Sequence, residues 1–114
     1  MVVDNFALVT VYIDPDVDEH LREQAALLGI GKAELFRRFL AAGMKAGKAR
    51  PELLLDASIE EGASPLVLKT AYLDPRVDDK LRAEAFDTGT NKNDLMRRYV
   101  RVGMRLEDAA VGGP

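Results

Sequence analysis

Cysteine is absent from this chain of 114 residues, and histidine occurs only once. Without cysteine the protein can form neither a disulfide nor a thiolate metal site, and its absence is typical of an intracellular protein. The single histidine, His20, provides no histidine cluster and is expected to be a solvated helix residue. Since there is also no glycine-rich phosphate loop, we expect no enzyme activity, no catalytic residue, no metal site and no cofactor.

Long apolar segments are also lacking. No apolar run approaches the roughly 18–20 residues that cross a membrane. Residues 1–6 have neither the basic segment nor the apolar segment of a signal peptide. We therefore expect a cytoplasmic protein that has no membrane partner.

The chain has little charge of either sign in excess, with 16 basic and 19 acidic residues and a net charge of −3. Nucleic-acid-binding proteins are usually basic, so this balance argues mildly against that class. The acidity is nevertheless concentrated. Residues 49–65 contain one arginine and four acidic residues, which equals the whole net charge. The regions on either side are close to neutral.

The main positive feature is an internal repeat. The segment TVYIDP at residues 10–15 returns as TAYLDP at residues 70–75. At this offset of 60, sixteen of the thirty-five positions from 10 to 44 are identical, without a gap. Two copies are too few for a solenoid, so we expect a pair that packs on itself. The predicted organisation is a first repeat, an acidic linker and a second repeat that shares one core with the first, over residues 1–48, 49–65 and 66–114.

Each repeat predicts one strand followed by two helices. Asp14 and Pro15 are typical of an N-cap and first helical position, Gly29 of a helix end, and Asn91 of another N-cap. A short acidic helix is also predicted within the linker. The predicted strands are 7–13 and 67–73, and the predicted helices are 15–28, about 32–46, 51–61, 75–88 and about 92–107.

Alternation in the strands predicts one buried face and one outward face. The inward set is Val9, Val11 and Ile13 in the first strand and Lys69, Ala71 and Leu73 in the second; the outward set is Leu8, Thr10, Tyr12, Leu68, Thr70 and Tyr72. Helical spacing predicts core positions in the four main helices. These are Val17, Leu21, Ala25, Leu28, Leu35, Phe36, Phe39, Leu40, Gly43, Val77, Leu81, Ala85, Leu95, Met96, Tyr99, Val100, Gly103 and Leu106.

A single strand followed by two helices cannot cover the strand's edges or bury a large core. Two copies can pair their strands antiparallel and pack four helices behind that ribbon. The predicted fold class is therefore α+β, mostly α, in which one chain forms an intramolecular pseudo-dimer. We expect it to be monomeric in solution.

Several motifs in both copies resemble the ribbon-helix-helix superfamily of MetJ-, Arc- and CopG-like proteins. The strand ends apolar-Asp-Pro, the first helix ends LGI at residues 28–30, and the next helix opens GKAELFR at residues 31–37. The second copy reads GTNKNDLMR at residues 89–97. With two copies in one chain, the sequence is similar to the fused variants, such as the TraY-like proteins of plasmid conjugation.

The resemblance implies that the ribbon enters the major groove of double-stranded DNA and that its outward side chains contact base edges. These are Leu8, Thr10, Tyr12, Leu68, Thr70 and Tyr72. It also implies phosphate contacts at the starts of the second helices, which map to Gly31, Lys32, Asn91 and Lys92. The chain departs from the family at the outward positions, where Arg, Lys, Asn and Gln are all missing, and at Gly31, where Ser or Thr is common.

Simpler interpretations stand beside these. The outward Thr and Tyr residues are also suited to any exposed strand, and Lys69 either reaches a phosphate or only makes an edge more soluble. We expect the arginine pairs at 37–38 and 97–98 to form ion pairs within the protein. Helix capping explains Asp14, Asp16 and Asp18 better than a calcium loop does, because that loop requires Gly and Glu where this chain has Glu19 and Ala25.

The functional hypothesis is a sequence-specific DNA-binding protein that serves as a transcriptional repressor or in plasmid conjugation or partition, with further association on DNA. The alternative is an antitoxin-like interaction module with weak or lost DNA binding. In that case a protein partner would dock on the linker, 49–65, which contains Leu53, Leu54 and Leu55.

Overall fold

The computed structural model describes residues 6–56 and 65–112, which form two strands and five helices. The elements in chain order are β1 (Ala7–Ile13), α1 (Pro15–Leu28), α2 (Lys32–Ala49), α3 (Glu52–Asp56), β2 (Val67–Leu73), α4 (Pro75–Thr88) and α5 (Lys92–Gly112). The described chain is mostly helical and has one two-stranded antiparallel sheet, so the predicted α+β class is confirmed.

The strands β1 and β2 pair antiparallel to form a ribbon, with Thr10 opposite Thr70 at its centre. Their bounds are those predicted from the repeat. Branched and apolar residues alternate with outward ones, so one face of the ribbon is buried. The buried strand residues are Val9, Val11, Ile13, Ala71 and Leu73.

The first helix of each repeat ends at a glycine that adopts a left-handed conformation, with φ of 70° at both Gly29 and Gly89. The Ile30 amide donates back to the Ala25 carbonyl at 3.1 Å, which is the bond of a Schellman motif. Ile30 then packs against the core. It takes the place predicted for Leu28, which is 51% exposed, so the prediction of a buried Leu28 was wrong.

The predicted helix caps have different outcomes. Asn91 accepts a hydrogen bond from the Asp94 amide at 2.8 Å, which confirms its predicted cap, and Asp74, the counterpart of Asp14, accepts one from the Arg76 amide at 2.9 Å. Asp14 occupies the N-cap position of α1 as predicted, with Pro15 as the first helical residue, but its side chain makes no cap bond there. Its carboxylate is bound by arginines of α5 instead.

The helices α2 and α5 make the most extensive contact between elements of the described chain. Two glycines permit this close approach. A Cβ added at Gly43 would collide with the Tyr99 carbonyl, and one added at Gly103 would collide with the Phe39 carbonyl. The two contacts are reciprocal, because Phe39 and Tyr99 are also 60 residues apart.

The core lies between the ribbon and the helices. It is completed from α2 and α5 by Leu35, Phe36, Phe39, Leu40, Leu95, Met96, Tyr99, Val100 and Met104. Both helices run past their predicted ends, to Ala49 and Gly112. Leu106 is 42% exposed, so its predicted burial was wrong. Among the residues of α5 up to Asp108, the last buried one is Met104, just beyond the crossing at Gly103.

Candidate nucleic-acid interface

The outer face of the ribbon is the side turned away from the core. Alternation places the six predicted side chains on it, and all six are exposed. The four leucine and tyrosine side chains are 48% to 59% exposed, although residues of these types are usually more buried. The members of the outer face are Leu8, Thr10, Tyr12, Leu68, Thr70 and Tyr72.

The strand register makes the outer face symmetric. Thr10 lies opposite Thr70, Leu8 opposite Tyr72, and Tyr12 opposite Leu68. Each strand therefore contributes leucine, threonine and tyrosine in the same order, running in opposite directions. The face carries hydroxyl groups, aromatic rings and methyl groups, and it has no charged or amide side chain.

Side chains from the helices fix both strands at their outer edges. Asn93 of α5 bonds to both backbone groups of Tyr12, since its Oδ1 accepts from the Tyr12 amide at 2.8 Å and its Nδ2 donates to the Tyr12 carbonyl at 3.1 Å. On the other strand, Arg37 Nη1 approaches the Tyr72 carbonyl at 3.5 Å and its guanidinium lies 5.4 Å from the Phe6 ring centre. No sequence pattern predicts the role of Asn93, because its counterpart in the first repeat is Ala33.

Two predicted phosphate contacts, Lys32 and Lys69, lie together at the start of α2. Both ammonium groups bind Oδ1 of Asp18, at 3.0 and 2.9 Å. Arg22 reaches the other oxygen at 3.2 Å. We call these four residues the Asp18 cluster. It combines three cations with one buried carboxylate, so it carries net positive charge.

The Asp78 cluster occupies the corresponding place in the second repeat. Lys92 binds Oδ1 of Asp78 at 2.7 Å and Arg82 binds Oδ2 at 2.6 Å. Arg82 also lies 3.8 Å from Asp79. Val9 stands where a counterpart of Lys69 would be, so this cluster has one cation fewer.

The ionisation of the Asp18 cluster follows from these contacts. Burial opposes ionisation of Asp18, but hydrogen bonds from Lys69 and Lys32 outweigh it and hold the pKa of that carboxyl below its ordinary value of 3.8. The neighbouring Lys69 ammonium, together with burial, lowers the pKa of Lys32 from 10.5. Lysine side chains in the two clusters remain 27% to 33% exposed, which leaves surface for an additional anion.

The starts of α2 and α5 differ in their caps. Gly31 has no side chain to cap α2, and no side-chain cap bond forms there. Asn91 caps α5 through the Asp94 amide and also donates from Nδ2 to the Asp94 carboxylate at 3.2 Å. Free amides at a helix start attract anions. The start of α2 is therefore the better of the two places for a phosphate.

The two arginine pairs mostly bind groups within the protein. Arg38 forms a two-point ion pair with Glu107, at 2.8 and 3.0 Å. Arg97 is buried and donates to Asp14 at 2.6 Å. These contacts confirm the expected ion pairs for Arg38 and Arg97. Arg98 Nη1 lies 3.5 Å from the Leu54 carbonyl.

A third arginine on α5 was missed by sequence reasoning. Arg101 binds two aspartates where β1 leads into α1. Its Nη2 lies 2.9 Å from Asp14 Oδ2, and its Nη1 lies 3.1 Å from Asp16 Oδ2. The hydrogen bond from Arg101 lowers the pKa of Asp16. No repeat pattern predicts this contact, because the counterpart of Arg101 is Ala41.

The linker is partly a structural element. Leu54 of α3 packs against the core beside α2 and α5, and Leu53 is half-buried. The apolar side chains proposed for partner docking thus include one that already serves the fold. The predicted linker helix is present over Glu52–Asp56, and the remainder of that prediction, 57–61, lies outside the described residues. Partner docking on the linker stays a prediction.

Two further searches cover only the part of the chain that the structure describes. No group of three or more His, Cys, Asp or Glu residues in 6–56 and 65–112 is arranged to hold a metal ion. Within the same ranges, no helix is both long enough and apolar enough to span a membrane.

Comparisons with known proteins give no family for this chain. Neither the protein-family models, nor the curated proteins, nor the solved structures contain a match to it.

Proposed function

We propose that this protein is a single-chain ribbon-helix-helix pseudo-dimer that binds duplex DNA through the outer face of its ribbon. The observation that carries the proposal is the exposure of all six outer-face side chains on a ribbon whose opposite face is buried. A two-stranded ribbon fits the major groove, which is about 12 Å wide. Among β-ribbon DNA readers, the strands themselves contact the bases.

The charge next to the ribbon supports this proposal. Lys69 belongs to β2 and Lys32 is the first residue of α2. Both ammonium groups bind the side chain of Asp18 in α1. Lys92 lies at the start of α5. Cations beside a groove-binding element are placed to contact phosphates, which position the protein without reading sequence. The net charge of −3 does not oppose this arrangement, since the acidic excess lies in residues 49–65.

The pairing of both strands within one chain also has a consequence for binding. Linking two halves gives their association a high effective concentration, so the ribbon does not depend on protein concentration for its assembly. A single 12.5 kDa chain would therefore be the binding unit. The resemblance to the superfamily favours transcriptional repression or a task in plasmid conjugation or partition.

The test is selection of duplexes from a randomised pool at low salt, followed by affinity measurements by fluorescence anisotropy. We expect an enriched site that the wild-type protein binds and that the double variant Thr10→Ala/Thr70→Ala binds at least tenfold more weakly. These threonines form the central cross-strand pair and are exposed, so their truncation should leave the fold intact.

The control variant is Leu106→Ala, which shortens an exposed side chain. Leu106 lies about 21 Å along α5 from Lys92, the first residue of that helix. It should bind the selected site as the wild type does. If no duplex is retained even at low salt, the proposal is wrong. Equal losses in the double variant and in Leu106→Ala would also contradict it, because the ribbon would then have no special role.

A further inference from the structure

We infer that the outer face reads thymine 5-methyl groups placed symmetrically about the centre of a short palindromic core. This inference rests on the proposed function and deepens it by naming the feature of DNA that is recognised. It follows from two observations: the chemical types present on the outer face and the register that pairs them.

The chemistry of the face excludes the strongest base contacts. Bidentate recognition of guanine requires arginine or lysine, and that of adenine requires asparagine or glutamine. None of these residue types occurs among the six outer-face positions. Leu8 and Leu68 have no hydrogen-bonding group, and each is more than half exposed, at 59% and 55%.

The groups that are present match one feature of the major groove. Thymine alone among the four bases presents a methyl group there, and apolar or threonine side chains pack against it. Leucine side chains, tyrosine rings and threonine methyls supply this contact, while the threonine and tyrosine hydroxyls accept or donate single hydrogen bonds. Cytosine has no methyl group in the major groove, so a leucine that packs against thymine loses that apolar contact when cytosine takes its place. The face therefore favours thymine over cytosine.

The register places these groups symmetrically. Thr10 and Thr70 form the central pair, with a leucine–tyrosine pair on each side. Equal side chains at mirrored places have equal base preferences, so the contacted core should be a palindrome. The strand from Leu8 to Tyr12 covers about 13 Å at roughly 3.3 Å per residue, which corresponds to about four base-pair steps.

The symmetry of the outer face does not extend to the charged residues beside the ribbon. On the buried side, Lys69 replaces the valine of the first repeat, and the two clusters at the helix starts differ in their cations. A palindromic core is thus expected even though the protein halves have diverged. Base preferences outside the core are free to differ between the two sides.

The test uses the duplex selected above, in which single thymines are replaced by uracil, which removes only the methyl group. We expect about fourfold weaker binding for each contacted methyl that is lost, and no change at thymines outside the core. In the double variant Leu8→Ala/Leu68→Ala, uracil substitution should no longer weaken binding at the thymines that the two leucines contact, while the effect should persist at thymines that the threonines or tyrosines contact. Leu106→Ala, which also truncates an exposed leucine, should keep the full difference.

Each outcome separates this inference from the function on which it rests. If the protein binds a selected site but uracil substitution has no effect, methyl recognition is wrong and DNA binding stands. A selected core without thymine, or one with different bases at mirrored positions, also overturns the inference. If no duplex is bound at all, the proposed function fails and the inference fails with it.

Discussion

The same Asp-Pro dipeptide joins strand to helix in both repeats, yet the two junctions are built differently. At the first junction, the Asp14 side chain is 9% exposed and is bound by Arg97 and Arg101 of the second repeat. At the second, the Asp74 side chain is 37% exposed and pairs with Arg76 of its own helix. One aspartate therefore fastens the two repeats together, and the other caps a helix.

Positions outside the dipeptide account for the difference. Arg101 has Ala41 as its counterpart, and Arg37, the counterpart of Arg97, lies at the Tyr72 carbonyl. Asp16 binds Arg101, and its counterpart in the second repeat is Arg76. Arg76 forms an ion pair with Asp74. The role of an identical residue is thus set by the charges around it, both from its own first helix and from the second helix of the other repeat.

The largest expected effect separates the two junctions. Asp14→Ala removes the buried carboxylate that Arg97 and Arg101 share and leaves them only their contacts with Asp94 and Asp16, so we expect a loss of about 3 kcal/mol in the free energy of unfolding. Asp74→Ala removes an exposed pair and a helix cap, for which we expect about 1 kcal/mol. Urea denaturation of both variants measures the two losses. Equal losses would mean that burial of Asp14 does not matter.

A second experiment tests the place where the two repeats agree. Gly43→Ala and Gly103→Ala each push a Cβ into a backbone carbonyl of the facing helix, which cannot rotate away. We expect each to lower the free energy of unfolding by about 3 kcal/mol, since overpacking against a rigid neighbour separates the helices. Because the two contacts are reciprocal, the losses should agree within about 1 kcal/mol.

The control for this comparison is Gly47→Ala, in the same helix as Gly43. Its nearest neighbour is the ring edge of Tyr99, at 2.8 Å, and a side chain can shift where a carbonyl cannot. Alanine also gains about 1 kcal/mol of helix propensity over glycine. The net loss at Gly47 should therefore be much smaller. If all three variants lose the same amount, the crossing is not held by its glycines.

The sequence predicted the elements well because both periodicity and the repeat encode them locally. Both strands and the first helix of each repeat have the predicted bounds, and the outward set is exposed as expected. Local sequence patterns fail to predict burial where the path of the chain after a helix determines which residue reaches the core. Leu28 has helical spacing for the core, but the chain turn at Gly29 brings Ile30 to the core instead.

The contacts that tie the ribbon to the helices were beyond prediction for a related reason. Asn93 and Arg101 occur in only one copy and act on residues more than 80 positions away. The repeat identifies positions that are the same in both copies, whereas Asn93 and Arg101 stand at positions where the two copies differ. The candidate phosphate lysines were found from their positions, but their shared carboxylate partners, Asp18 and Asp78, were assigned only to capping or to no role.

Acid unfolding tests the Asp18 cluster. The pKa of Asp18 is below its ordinary value of 3.8 in the folded protein. The unfolded chain therefore binds more protons below about pH 4, and the stabilisation by Asp18 is lost as the pH falls through the folded pKa. We expect Asp18→Asn to show a flatter decline of stability on acidification than the wild type. Leu106→Ala, which changes no titrating group, should keep the wild-type slope.

The smallest expected effect comes from making the two clusters alike. Lys69→Val places in β2 the residue that β1 has at Val9, and it leaves Asp18 with one lysine and one arginine, as at Asp78. Valine suits a strand, and the lost ion pair is partly exposed, so stability should change by less than about 1 kcal/mol. On the proposed function, the slope of binding affinity against salt should fall by about one phosphate contact.

The matched control is Lys45→Val, which removes the same charge about 20 Å along α2 from Lys32. That distance exceeds the Debye length of about 8 Å at physiological ionic strength, so the salt slope should not change. A reduction in Lys69→Val alone would identify Lys69 as a phosphate contact and show that the two ends of the ribbon hold DNA unequally. If Lys69→Val keeps the wild-type salt slope, as Lys45→Val is expected to do, Lys69 serves only to neutralise Asp18.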